Sequence, residues 1–251
     1  MLEVRESMET ILAMKNVDAG YGRINVLNGL SFRVQSGQTL GVIGPNGSGK
    51  TTMINALSGL IRVTKGSIRF EGRDITRLSP DARCRLGMAR TFQVPAPFER
   101  MRVFENVLTA AAFGSHEGRR ENWKTAEKTL EMTGLAEKRD VMAGSLMLLD
   151  RKRLEIARAL STQPTLLLLD EIAAGLTSEE VQEILRIVRM LKEQGLTIIW
   201  IEHIIETLRE TADEMICMAE GQNLISGTPD EVLHSEDVIR LYLGTDADTP
   251  E

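Results

Sequence analysis

The sequence predicts an α/β fold: a parallel-sheet core, an antiparallel β-subdomain from the N-terminal residues, and a helical subdomain inserted in mid-chain. Three observations predict it. Compact apolar runs at residues 39–43, 165–169, 196–201 and 215–218 read as buried strands, and the later ones alternate with helix-patterned stretches at 179–194 and 203–213. Ahead of them, apolar positions alternate in residues 11–17 and 30–34, punctuated by the turn formers Asp18, Gly20, Gly22, Ser36 and Gly37, as in an antiparallel sheet. Residues 83–160 read as largely helical, with periodic apolar faces at 104–112 and 123–132 and a break at Pro95 and Pro97.

Taken together, these elements predict one domain over residues 10–245. Within it, 10–92 and 163–245 form the β-subdomain and sheet core, and 93–162 the helical subdomain; residues 1–9 and 246–251 are expected to be flexible termini. A chain of 251 residues with 42% hydrophobic side chains suffices for a sizeable core. Its net charge of −6 argues against nucleic acid as a main partner. The short basic clusters at 83–90, 100–102, 119–120 and 151–153 read as solvated helix faces. Cys84 and Cys217 lie in no metal-like spacing and read as reduced thiols of a cytoplasmic protein. Residues 1–14 carry Glu3, Arg5, Glu6 and Glu9, unlike a secretory leader, and no apolar run approaches the roughly 20 residues that cross a bilayer. If the protein works at a membrane, another subunit is expected to hold it there.

Residues 39–43 run straight into Gly44-Pro45-Asn46-Gly47-Ser48-Gly49-Lys50-Thr51, a complete G-x-x-x-x-G-K-[ST] phosphate loop, with helical composition after it. Its glycines let backbone N–H groups turn inward, and the following helix offers its positive dipole end, a nest suited to a triphosphate. Lys50 is expected to reach the β- and γ-phosphates, the Thr51 hydroxyl is a hard oxygen of the kind Mg²⁺ prefers, and Thr52 is counted with the loop as nucleotide-binding. A second feature answers the first. The apolar run at 166–169 ends in Asp170 and Glu171, where one acid can hold Mg²⁺ and the other can polarise the attacking water. Without the phosphate loop, a solvated Asp-Glu turn would be the commoner explanation of that pair.

With both motifs in place, nearly the whole chain resembles the ATP-binding subunits of ABC transporters. The resemblance implies a P-loop NTPase (RecA-like) core, ATP and Mg²⁺ as cofactors, and ATP hydrolysis coupled to transport. It implies that Tyr21 stacks on adenine and that Gln93, in Arg90-Thr-Phe-Gln93, touches Mg²⁺ and water while coupling the site to a transmembrane partner. His203, in Ile201-Glu-His203, matches the switch histidine near the γ-phosphate. Catalytic roles are therefore expected for Glu171 and His203, and metal contacts for Thr51, Gln93 and Asp170.

The pattern breaks at one place. Where the family signature Leu-Ser-Gly-Gly-Gln should precede Arg151-Lys-Arg-Leu-Glu-Ile-Ala-Arg-Ala-Leu160, the chain has Leu146-Met147-Leu148-Leu149-Asp150. In the family this signature reaches across a dimer to the partner's γ-phosphate. Met147 lacks the hydroxyl, Leu149 limits close approach, and Asp150 sets an anion near an anion. Ile172 replaces the usual proline, and Thr177 the usual aspartate or asparagine. These departures favour a heterodimer with an intact second ATP-binding subunit; drift without asymmetric meaning is the alternative.

Residues 87–93, Gly227-Thr-Pro-Asp-Glu-Val and Asp237-Val-Ile-Arg-Leu-Tyr-Leu-Gly244 most resemble the branched-chain amino acid uptake ATPases. That subgroup implies permease partners and, indirectly, a periplasmic binding protein, at the inner face of the cell membrane. Amide or urea uptake, lipopolysaccharide export and a non-transport regulatory role are the alternatives.

Overall fold

A computed structural model describes residues 9–114 and 117–243. The expectation of flexible termini therefore falls outside the described residues, apart from Glu9, whose carbonyl accepts the Ser36 N–H. The chain divides into two compact units, Met1–Arg77 with Ile205–Glu251, and Leu78–Ile204.

The first unit opens on β1 (Thr10–Tyr21) and β2 (Ile24–Gln35), an antiparallel hairpin that pairs Tyr21 with Ile24 across a tight turn. Then come β3 (Thr39–Ile43) and α1 (Lys50–Leu57). The strand β4 (Val63–Phe70) returns antiparallel to β1, and β5 (Arg73–Asp74) closes a sheet of order β2-β1-β4-β5. Leu12, Met14, Leu30, Phe32, Ile68 and Phe70 are among its buried side chains, and the exposed Lys15, Arg33 and Arg69 interleave with them, the period-two pattern of a half-buried sheet. Every residue of β3 is buried, as a strand covered on both faces requires.

The second unit holds α2 (Pro80–Arg85), β6 (Met88–Arg90), α3 (Val103–Gly114), α4 (Arg119–Met132), α5 (Leu148–Leu160), β7 (Leu166–Asp170), α6 (Ser178–Glu193) and β8 (Thr197–Ile201). Its three strands pair in parallel, with Met88 opposite Leu166 and Asp170 opposite Ile201. The strand β6 corrects the helical reading of its segment, since three residues are too few to show a period. Apolar residues Val103, Phe104, Val107, Ala126, Leu130 and Leu154 gather α3, α4 and α5 around one core. The basic clusters are also less solvated than expected. Arg83 is buried and donates from Nε to the Leu78 carbonyl, burial pushing its pKa down to about 10, and Lys152 is buried as well.

The chain then re-enters the first unit through α7 (Ile205–Thr211) and β9 (Glu214–Ala219), which pairs parallel to β3 with Gly41 opposite Met215. Antiparallel β10 (Gln222–Gly227), α8 (Pro229–Leu233) and α9 (Glu236–Leu243) follow. Both cysteines are free.

Candidate functional site

In the first unit, β3 delivers the chain into a loop that only glycine can make at its ends. Gly44 has φ 151°, and a Cβ there would lie 2.3 Å from the Met218 carbonyl oxygen; Gly49, at φ 102°, caps α1 in the left-handed region. Pro45 is half-buried, Ser48 is buried, and Asn46 and Gly47 form the exposed crown. Lys50 is only 5% exposed, and its ammonium donates to the carbonyls of Gly44 at 2.6 Å and Pro45 at 3.0 Å. The cation thus lies across its own loop, a concave backbone surface with one positive charge, which is what a phosphate chain needs. Thr51 is exposed in the first turn of α1, and Thr52 is buried behind it.

Tyr21 ends β1 with its ring 48% exposed. Its Oη accepts from Asn55 Nδ2 at 2.8 Å, tying the ring to the helix that follows the phosphate loop, beside a cleft of ≈ 570 Å³ lined also by Gly20, Ile61 and Arg62. A contact absent from the sequence reading joins them: Tyr242 on α9 accepts the Gly44 N–H at 2.8 Å. Burial pushes the Tyr242 phenol up, so it stays a neutral acceptor.

In the second unit, Gln93, Glu171 and His203 come together. The Glu171 carboxylate is held from two sides, by Gln93 Nε2 and by His203 Nε2, the latter at 2.9 Å. Glu171 itself has φ 47°, the left-handed basin that a non-glycine residue enters at a cost, and its N–H donates to Ile201 O at 3.0 Å. Asp170 is buried at the end of β7, 3.4 Å from Arg90 Nη2, and the Arg90 guanidinium covers the Phe92 ring at 4.4 Å. Glu202 is a further group that sequence reasoning missed. Fully buried, it accepts from Ala173 N at 2.7 Å, Trp200 Nε1 at 3.2 Å and His203 N at 3.3 Å, so one carboxylate ties the turn after Glu171 to His203. Burial raises its pKa.

The departed signature starts α5. Met147 stands at the N-cap with no side-chain capping bond and is 77% exposed, and Leu148 lies beside Gly175. Asp150 corrects the expectation of an anion turned toward a partner's phosphates. It is 5% exposed, points inward, and is bound by Lys138 and by Arg153, which continues to Glu183 at 2.7 Å. Thr177 also has a local reason: its hydroxyl and Glu180 form a complete capping box at the start of α6. Thr177→Ala should lower the melting midpoint by about 2–4 °C. An unchanged midpoint in a thermal scan would show that the cap is not what Thr177 contributes.

Among the described residues no group of His, Cys, Asp and Glu gathers as a metal-binding cluster, and no helix is long and apolar enough to cross a membrane.

A full phosphate loop between a buried parallel strand and a helix defines a P-loop nucleotide hydrolase. Residues 27–174 match the ABC transporter family. The chain is 34% identical to the high-affinity branched-chain amino acid transport ATP-binding protein BraF of Pseudomonas aeruginosa, covering 93% of this chain and 98% of that protein. It is 36% identical to the probable branched-chain amino acid transport protein LivG of Archaeoglobus fulgidus (93% and 95%), and 31% identical to the lipopolysaccharide export protein LptB of Haemophilus influenzae (94% and 98%). Among solved structures, a nucleotide-free ATP-binding cassette from an ABC transporter superposes with TM-score 0.85 at 32% identity over 94% of this chain and 100% of the other. The chain belongs to the ABC transporter family, as one of its ATP-binding, ATP-hydrolysing subunits.

Proposed function

We propose that this subunit powers uptake of branched-chain amino acids. In this reading it sits on the inner face of the membrane against permease subunits, paired with a second, homologous ATP-binding subunit, while a periplasmic protein delivers the solute. The grip of Gln93 and His203 on the Glu171 carboxylate carries the catalytic part: it aims one oxygen-rich base from two loops, as activation of a water requires. The phosphates belong to residues 44–52, with Lys50 as counter-charge, and Tyr21 offers its ring face to the base.

In the first unit the oxygen donor proposed for Mg²⁺ is the Thr51 hydroxyl; in the second unit the proposed donors are the Asp170 carboxylate and Gln93 Oε1. Hard, oxygen-only donors suit that ion, and Gln93, whose Nε2 donates to Glu171, has its side-chain Oε1 to offer. When bound, the ion neutralises phosphate charge.

Similarity to BraF and LivG over nearly the full chain supports the solute class, and the apolar, exposed Met147 supports pairing with a subunit whose signature is intact. Uptake of labelled leucine, isoleucine and valine in cells lacking this chain tests the reading. Loss of all three, restored by the wild-type gene, is expected; unchanged amino acid uptake with lost urea or amide uptake would overturn it.

A further inference from the structure

One buried cation on α5 lies outside the roles assigned above. Lys152 is 2% exposed, and its ammonium donates to two main-chain carbonyls, Gln93 O at 2.8 Å and Glu171 O at 3.2 Å. Burial pulls its pKa down, an effect only partly offset by the negative charges of Glu202, Glu171, Asp170 and Glu155. Further along the same helix, Glu155 Oε1 accepts the Ala96 N–H and Arg158 donates to Ala96 O, both at 2.9 Å, so α5 holds the segment after Gln93 by both its N–H and C=O groups.

We propose that Lys152 is a positioning residue for ATP hydrolysis, its ammonium pinning the main chain of Gln93 and of Glu171 so that their side chains meet. A left-handed glutamate persists only where its surroundings over-determine it. Here its N–H is tied to Ile201 and its C=O to Lys152, so the peptide groups on both sides of the Cα are fixed. The same ammonium fixes Gln93, whose amide then grips the Glu171 carboxylate. Lys152, Gln93 and Glu171 thus close a ring of contacts that runs from the start of α5 to the base. A lysine suits this work because three tetrahedral N–H donors on one compact head can serve two carbonyls at once.

This inference rests on the reading of Glu171 as the base, and the test separates the two. The full-length chain, assembled with its partner subunits, is compared as wild type, Lys152→Met, Lys152→Arg and Glu171→Gln for kcat, KM, equilibrium binding of a fluorescent ATP analogue and amide hydrogen exchange over residues 91–94 and 171–173. Lys152→Met should lower kcat about tenfold or more, since small misplacements of a catalytic group carry penalties of that size, with KM and ATP affinity held within about threefold. Exchange should quicken in those two segments, and Lys152→Arg should recover part of the loss. If Lys152→Met fails to fold, Lys152→Gln, which keeps an N–H donor, takes its place. A kcat within about twofold of wild type with unchanged exchange would overturn the proposal. So would a parallel fall in affinity, kcat and melting temperature, which would mark a general structural role. Undiminished turnover in Glu171→Gln would instead overturn the base assignment, and the exchange data would still decide on Lys152.

Discussion

Replacing Glu171 by glutamine should cut ATP turnover by about 10²–10⁴-fold, the range that a positioned general base contributes. Glutamine keeps the size of the side chain and one acceptor oxygen, so His203 Nε2 retains a partner and the left-handed turn is under the same constraints. Basicity alone is lost. Nucleotide binding should stay within about threefold of wild type, because the phosphates are assigned to residues 44–52 and Glu171 to the activation of water. Steady-state hydrolysis beside equilibrium binding of a fluorescent ATP analogue separates the two quantities. A variant that still turns over at more than about a tenth of the wild-type rate would remove Glu171 from the role of base. His203→Ala makes a useful companion, since it keeps the carboxylate and its contact with Gln93 while removing the one with His203.

Lys50→Met should weaken ATP binding by about 10–150-fold, the value of one charge-assisted hydrogen bond of roughly 1.5–3 kcal/mol. The ammonium lies across the loop, bonded to Gly44 and Pro45. Its charge is therefore already in place at the loop before a nucleotide arrives. Methionine preserves the stem and its packing on the loop, so the melting temperature should move little compared with the affinity. Titration at two salt concentrations sharpens the test, because an affinity that depends on a buried cation should be less salt-sensitive than one built from surface charge. Binding within about threefold of wild type would show that the loop amides alone hold the phosphates.

Much of this site is legible in the primary structure because its chemistry is contiguous. Residues 44–51 and the pair Asp170-Glu171 announce themselves by spacing, since each is a single strand-to-loop passage in which neighbours in sequence are neighbours in space. Gln93 and His203 are legible only through resemblance; nothing local marks a glutamine or a histidine as functional. The groups that escaped detection share a different trait. Lys152, Glu202 and Tyr242 act on backbone atoms far away along the chain, and a residue's pattern says nothing about which distant carbonyl or N–H it will meet. Lys152 in particular sits in a basic triplet that composition assigns to solvent. Asp150 makes the same point in reverse, because its place in the family signature implies an anion near a partner's phosphates while Lys138 and Arg153 hold it inward. The strand β6 was lost for a simpler reason, being shorter than one readable period.

Glu171 sits in a backbone conformation that glycine or asparagine would adopt with less strain, yet neither offers a base of comparable strength at that position. Under the proposed role of Glu171, heat resistance and turnover therefore make opposite demands on this one position.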